Sequence, residues 1–379
     1  MIDKSSWKSY KFEDIVTNIK EKAKPNACDE IPYIGLEHLQ SESFEIPLYG
    51  TSNDITGEKF LIKKGDVLFG KRRAYQRKVG IAPFGGIFSA HGMVLRSKPN
   101  IIIKELLPFF IRSDIFMNRA ISMSVGSLSP TVNWSELKNE TFNLPPIEEQ
   151  EHIAELLWAA EENFEKQKEL SSSLAEAHLA LINELLFSSN GKKKLLSELA
   201  RFNEKTIKSK EFAPEQIIKY IDIGCIIRPK ILGEAKTFAF SEAPSRARRI
   251  AKVGDILIST VRPNLKSFCR IDDGEYVVST GFAVATPQDI DCSEILFHVI
   301  FSNRFVDYCN NKATGTNYPA INVGDIEDFK IYLNKKYSIS SISGKLRLFQ
   351  QAMDNNDTNL NNARAVKKDL LSLYFGGAN

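Results

Sequence analysis

Two stretches of the chain carry apolar residues at alternating steps of three and four. The first runs Ile153, Leu157, Ala160, Phe164, Gln167, Ser171, Leu174, His178, Leu181, Leu185. The second lies 189 residues later and runs Ile342, Leu346, Phe349, Met353, Asn356, Leu360, Ala363, Lys367, Leu370, Tyr374. Sustained heptad spacing predicts two long helices packed along a shared seam. Each is expected to cover about 35–40 residues, or about 50–60 Å at 1.5 Å per residue. In an antiparallel pair with these ends matched, Gln167 falls near Leu360 and Ser171 near Asn356. Two readings are open for this polar patch: it sets the register at some cost in stability, or its side chains tilt outward to solvent.

The first long segment is preceded by Pro145 and Pro146, and Glu148, Glu149 and Glu151 follow at once. Proline is tolerated in a first helical turn and forces the residue before it to be extended. Carboxylates there are favoured by the helix dipole. The pair could also be a degraded Asn/Asp-Pro-Pro-aromatic signature of amino-methyltransferases. That reading fails, because Leu144 and Ile147 occupy the flanking places and no glycine-rich loop precedes them. The second segment has no double proline. Ser338, Ser340 or Ser341 is its expected N-cap, and its asparagine-rich middle, a poor helix former, makes it dependent on packing.

Outside these segments the period shortens to that of strands. "GDVLFG" and "GDILIST" are short apolar runs led by Gly-Asp, and "GIFSAHGMVLR" and "EYVVSTGFAVA" read as strands interrupted by glycine. A helix is expected to follow in each copy, over about 104–123 and about 293–309. The matching runs share the 189-residue offset. "KKGDVLFGKRR" falls on "KVGDILISTVR", "GSLSPTVNWSEL" on "GTNYPAINVGDI", and Gly92, Ile111, Ser113 and Phe116 on Gly281, Ile300, Ser302 and Phe305. A constant offset over so long a stretch marks a duplication. The expected order is a mixed domain over 1–146, a long helix over 147–190, a second mixed domain over 191–338 and a second long helix over 339–379. The fold class is α+β: two tandem mixed domains related by pseudo-two-fold duplication, joined by two long helices packed as an antiparallel coiled coil.

Charge divides along the same lines. Residues 1–146 hold 20 basic and 16 acidic side chains, a net of +4, and 191–338 hold 23 and 18, a net of +5. The segment 147–190 between them has 2 basic and 10 acidic, a net of −8. Two basic blocks suggest a polyanionic partner. The five cysteines, Cys28, Cys225, Cys269, Cys292 and Cys309, are scattered without a Cys-x-x-Cys. Together with a polar N-terminus and the lack of a membrane-length apolar run, this suggests a cytoplasmic chain with neither disulfide framework nor structural zinc. His38, His91, His152, His178 and His298 show no metal-ligand spacing. No catalytic triad, phosphate-binding loop or nuclease arrangement stands out, so neither an enzyme nor a cofactor is expected.

The two copies differ most where polar residues gather. In the first, Lys71, Arg72, Arg73, Tyr75, Gln76, Arg77 and Lys78 follow the Gly-Asp strand. In the second, Arg262, Asn264, Lys266 and Arg270 do, while Arg246, Arg248 and Arg249 precede the strand. Arg73 aligns with Arg262 and Arg77 with Lys266. Basic loops interleaved with aromatic and amide side chains suit DNA, since Arg and Lys neutralise phosphates and Arg, Asn and Gln can read base edges. The bland reading, solvated loops, remains open for any single residue. Ser127, Thr316 and Asn317 are candidates to touch phosphate, whereas Gly126, Pro130, Gly315 and Pro319 read as structural.

The repeat order, the "LPPIEEQ" entry to the first long helix, and the terminal "LLFSSNG" and "LLSLYFGG" resemble the specificity (S) subunit of type I restriction–modification systems. The resemblance covers nearly the whole chain and departs from the family at the second helix start, which lacks Leu-Pro-Pro and Glu-Gln. It implies two target-recognition domains, each reading half of a split site in double-stranded DNA, on an antiparallel helical spacer. It further implies two docked methyltransferase (modification) subunits, a restriction/translocase subunit reached through the complex, a role in defence, and no catalysis by the chain itself. Readers at fixed separation require half-sites near a whole helical turn apart, about 34 Å. Because the polar loops differ, the site is expected to be asymmetric. The alternatives are a related methyltransferase-based defence system without a restriction subunit, and a structural adaptor that binds protein. Binding that declines steeply with salt separates DNA recognition from the adaptor.

Overall fold

The computed structural model describes residues 3–24, 30–207, 212–227, 230–231 and 235–376. The chain divides into two compact units, Met1–Leu170 with Asp357–Asn379, and Ser171–Asn356. Cys28 lies outside the described residues.

In the first unit, Lys8–Lys11 pairs with Thr141–Leu144 in a two-stranded antiparallel ladder. A four-stranded antiparallel sheet follows in the order Val16–Ile19, Met93–Ser97, Val67–Phe69, Val79–Ile81. A second, mixed sheet runs Lys22–Ala23, Lys59–Ile62, Gly86–Phe88, Pro32–Ile34, Gly50–Thr51, with the Pro32–Ile34 and Gly86–Phe88 pair parallel. Phe12, Phe110, Phe116 and Phe142 fill the core between the first sheet and the helices. Each fully buried phenylalanine contributes about 1.5–3 kcal/mol.

The second unit repeats this plan, except that its mixed sheet has four strands and no counterpart of the edge strand Lys22–Ala23 among the named strands. Its ladder is Lys192–Leu195 with Lys330–Leu333, and its antiparallel sheet runs Ala200–Phe202, Phe282–Pro287, Ile256–Ser259, Phe268–Arg270. Its mixed sheet runs Lys236–Ala239, Ile217–Ile221, Glu275–Ser279, Ala247–Lys252, again with one parallel pair, Ile217–Ile221 with Glu275–Ser279. The duplication read from the sequence is thus a duplication of topology. The ladder shows where the spacing slips. Leu144 and Leu333 keep the 189-residue offset, but their partners Lys8 and Lys192 are 184 apart.

The Gly-Asp pairs explain the strands that follow them. Gly65 and Gly254 take φ of 90° and 89°, a region open to glycine. The aspartate then folds back: Lys63 N–H donates to Asp66 Oδ2 at 2.8 Å and Lys252 N–H to Asp255 Oδ2 at 2.9 Å.

The helix expected over 104–123 is two helices, Leu107–Arg112 and Asp114–Ser122, and that expected over 293–309 is Ile290–Phe301 and Asn303–Lys312. The break falls at Ser113 and Ser302, both extended. Each hydroxyl donates to a carbonyl of the helix behind it, Phe110 or Val299, at 2.6 Å. Each also accepts the N–H of Phe116 or Phe305 ahead of it. One serine thereby ends one helix and caps the next.

The long helices span Ile147–Leu186 and Ile339–Phe375. The first begins directly after Pro145 and Pro146, as their spacing predicts. Buried Gln150 secures this start: its Nε2 donates to Ile101 O and Pro145 O at 2.8 Å, and its Oε1 accepts from Ile103 N at 3.0 Å. Ser338 precedes the second helix, and its Oγ accepts from Ser341 N at 3.1 Å. None of the predicted seam residues is exposed.

In the first unit, Lys367 Nζ sits 4.3 Å from the centre of the Phe164 ring, and Phe375 shares a core with Ile153 and Leu157. In the second, His178 stacks on Phe349, and Leu185 shares a core with Ile342 and Leu346. In each unit the partner's number falls as the first helix advances, which is antiparallel pairing. Among the described residues no helix is long and apolar enough to cross a membrane.

Candidate nucleic-acid interface

In both units the strand after the Gly-Asp turn runs into the same short loop. In the first, Arg73 takes left-handed φ, ψ of 54°, 50°; a 3-10 turn spans Ala74–Gln76; and Arg77 is left-handed at 55°, 34°. In the second, Arg262 stands at 50°, 59°, the turn spans Pro263–Leu265, and Lys266 stands at 50°, 40°. Such angles are uncommon for residues with a Cβ and persist only where the surroundings hold them.

A second loop does part of the holding. Arg73 N–H donates to Pro130 O at 2.7 Å and Arg262 N–H to Pro319 O at 2.8 Å. Isolated bridges join Arg72 to Thr131 and Val261 to Ala320. The Gly-x-x-x-Pro loops 126–130 and 315–319 are therefore structural partners of the basic loops. Gly126 and Gly315 at φ 118° and 103° make their turns.

The predicted residues separate by what they touch. Arg73, Tyr75, Gln76 and Ser127 are exposed in the first unit, as are Arg246, Arg262, Asn264, Thr316 and Asn317 in the second. Lys71 and Arg72 are half-buried, and Arg72 Nη2 donates to Ser129 Oγ at 3.2 Å. Lys78 Nζ donates to Leu36 O at 2.8 Å. Arg77 is ion-paired with Asp114 at the start of the second short helix. In the second unit Lys266 Nζ lies 3.3 Å from both Phe301 O and Asn303 Oδ1, and Asn303 is the counterpart of Asp114.

Arg270 is turned toward the core, 3.1 Å from Glu294 Oε2 and 4.6 Å from the Phe297 ring. Of the run Arg246, Arg248, Arg249, only Arg246 lies in a turn; Arg248 and Arg249 are in Ala247–Lys252, the edge strand of the mixed sheet, bulged between Ala247 and Arg249. Burial pushes the Arg249 guanidinium below its usual range. The Arg246 carbonyl accepts from Thr280 N at 2.9 Å, while its side chain is exposed.

The field around the first loop is positive. Burial and then the neighbouring Lys22 push the Lys71 ammonium down, and burial followed by Arg72, Lys71 and Lys59 pushes the His91 imidazole down. Cations that repel one another in this way attract an anion. Sequence reasoning missed His91, Lys22 and Lys59, which only the fold brings close. It also missed Leu128, 89% exposed, and Tyr318, 69% exposed with the Arg262 guanidinium 4.5 Å over its ring. A large apolar residue between the Gly and the Pro of a turn, outside any strand or helix period, was the available signal. Among the described residues no group of three or more His, Cys, Asp or Glu side chains could hold a metal ion.

The arrangement offers, in each unit, exposed guanidinium, amide and aromatic or apolar groups on a braced backbone. These are the components of a phosphate-positioning and base-reading surface.

A family model, the type I restriction modification DNA specificity domain, matches residues 4–174. The type I restriction enzyme HindI specificity subunit of Haemophilus influenzae is 24% identical over 183 residues, 47% of this chain and 40% of that protein. The EcoDI specificity subunit of Escherichia coli is 24% identical over 168 residues, 43% of this chain and 37% of that protein. The chain thus spans about two-fifths of the length of the curated relatives it matches. Across the whole chain the fold is that of the S subunit of a type I restriction-modification system from M. genitalium, with TM-score 0.62, 14% identity, and 100% of this chain and 99% of that one covered. It is also that of a chain from a structure of type I R-M complex assembly and conformational transition, with TM-score 0.57, 19% identity and 98% of both chains covered.

Proposed function

We propose, from the premise that residues 4–174 are a type I restriction modification DNA specificity domain whose strand order recurs in the second unit, that this protein is the DNA-specificity subunit of a type I restriction–modification complex. Residues 1–146 and 191–338 are its two target-recognition domains. Each reads one half of a bipartite, asymmetric site in double-stranded DNA. The long helices dock two methyltransferase subunits, and a restriction/translocase subunit joins through the complex. The bond-making chemistry belongs to those partners, and this chain supplies the address.

The observation that carries the reading is the pair of loops at 73–77 and 262–266. They share one unusual backbone yet present different exposed side chains. A shared scaffold with divergent tips is what two readers of two different half-sites require.

The test is co-purification of the full chain with a methyltransferase subunit, followed by mapping of methylated adenines. A single split motif with unlike halves is expected. A contiguous motif, or no preferred motif, would overturn the proposal.

A further inference from the structure

The two loops leave different parts of themselves free. Arg73 and Arg262 are held through their N–H groups, the Arg262 guanidinium also donates to Asn317 O at 3.1 Å and lies over the Tyr318 ring, and buried Ala74 and Pro263 pin the turns from below. Arg77 and Lys266 are held through their side chains, by Asp114 in one unit and by Asn303 and the Phe301 carbonyl in the other. Two residues remain at each tip: Tyr75 and Gln76, and Asn264 and Leu265. All four are exposed, Tyr75 at 53% and Leu265 at 51%. None of the four side chains bonds to another described residue.

Each tip therefore pairs one amide with one aromatic or apolar group, and the order is reversed between the units. An amide side chain offers one donor and one acceptor side by side. In the major groove the complementary pattern is adenine, with its N6 donor and N7 acceptor. An apolar neighbour suits the methyl group of thymine or the face of an adjoining pair.

We propose, resting on the DNA-reading function above, that these two-residue tips are the specificity-determining elements. Gln76 and Asn264 each select an A·T pair through the adenine N6 and N7. Tyr75 and Leu265 pack on the neighbouring pair. Arg77 and Lys266 are positioning residues that act through the loop rather than on DNA. Arg73 and Arg262, exposed at the loop bases, face the phosphates.

The test uses the full chain with its methyltransferase partner, challenged with randomised duplexes. Gln76→Ala is expected to lose discrimination at one base position of one half-site, by about five- to a hundred-fold, and to leave the other half-site unchanged. Asn264→Ala is expected to do the same in the opposite half only. Gln76→Glu keeps the side-chain shape but can only accept, so its preference at that position moves from adenine toward cytosine, whose N4 donates.

Arg77→Ala is expected to weaken binding to every sequence alike. Arg77→Lys combined with Asp114→Asn, which copies the second unit's pair, is expected to restore it. The inference fails if Gln76→Ala and Gln76→Glu both keep the original preference at every position. It also fails if Arg77→Ala changes which base is selected, or if the double variant does not recover binding. A wild-type complex that selects no site would instead end the DNA-reading function itself, a result visible before any variant is made.

Discussion

Lys367 Nζ lies 2.8 Å from Glu161 Oε2, joining the two long helices within the first unit by a buried ion pair. The other carboxylate oxygen is 3.3 Å from Arg112 Nη1, so one anion serves two cations. Burial pushes both cations below their usual ranges, Arg112 to about 10, against the opposing pull of Glu161. Glu161→Ala removes the carboxylate that both cations contact, leaving only the field of Glu165 and Glu42, and is expected to destabilise the first unit by about 3–5 kcal/mol. Chemical denaturation followed by tryptophan fluorescence reads this, because Trp7, Trp134 and Trp158 all belong to the first unit.

The second unit replaces that arrangement with imidazoles. His178 Nε2 is 3.1 Å from His298 Nδ1, and His298 Nε2 is 3.2 Å from Glu294 Oε1, which is itself backed by Arg270. Burial and then His298 push His178 down to about 4. The unfolded imidazole takes its proton near 6.5, whereas the folded one waits until about 4. The unfolded state therefore binds more protons in that interval. Stability held above about pH 6.5 is lost as the pH falls toward 4. The melting temperature of the second unit should drop between about pH 7 and 5, and His178→Phe should flatten that slope. An unchanged slope in the variant would place the titration elsewhere.

Gln150 is buried at the start of the first long helix and satisfies three main-chain groups at once. Gln150→Leu removes all three partners, so the first unit should lose about 2–4 kcal/mol, read as a lower denaturation midpoint. The corresponding position in the second helix is Ile339, which has no such role to lose. There Ser338→Ala is the informative change, at about 1 kcal/mol for the lost cap.

Ser302→Ala should cost the second unit about 1 kcal/mol, because its hydroxyl both closes Ile290–Phe301 and caps Asn303–Lys312. Ser113→Ala should do the same in the first unit. Hydrogen exchange at Phe116 and Phe305, whose N–H groups these hydroxyls accept, would show the loss residue by residue.

Periodicity and repetition carried most of the architecture. The seam, the Pro-Pro helix start, the Gly-Asp strands and the 189-residue duplication all depend on neighbours in sequence, and the fold keeps them. What escaped depends on partners distant in sequence. The breaks at Ser113 and Ser302 were hidden because serine is unremarkable in a helical pattern until its hydroxyl finds both flanking turns. Arg77 looked like a free cation because Asp114 is 37 residues away. Arg248 and Arg249 looked like a loop because a strand at a sheet edge tolerates charge that a central one does not. The shift from 189 to 184 at the ladder could not be read, because nothing local reports which strand lies opposite.

Phe375 packs against Phe110 in the core of the unit that contains the first residues of the chain. During synthesis, then, the core built by residues 3–170 stays incomplete until residues 357–376 have left the ribosome, while the uninterrupted stretch 171–356 can close beforehand. A product stopped before residue 357 would carry a finished second unit and an open first one. Such a product exposes apolar surface to chaperones and proteases.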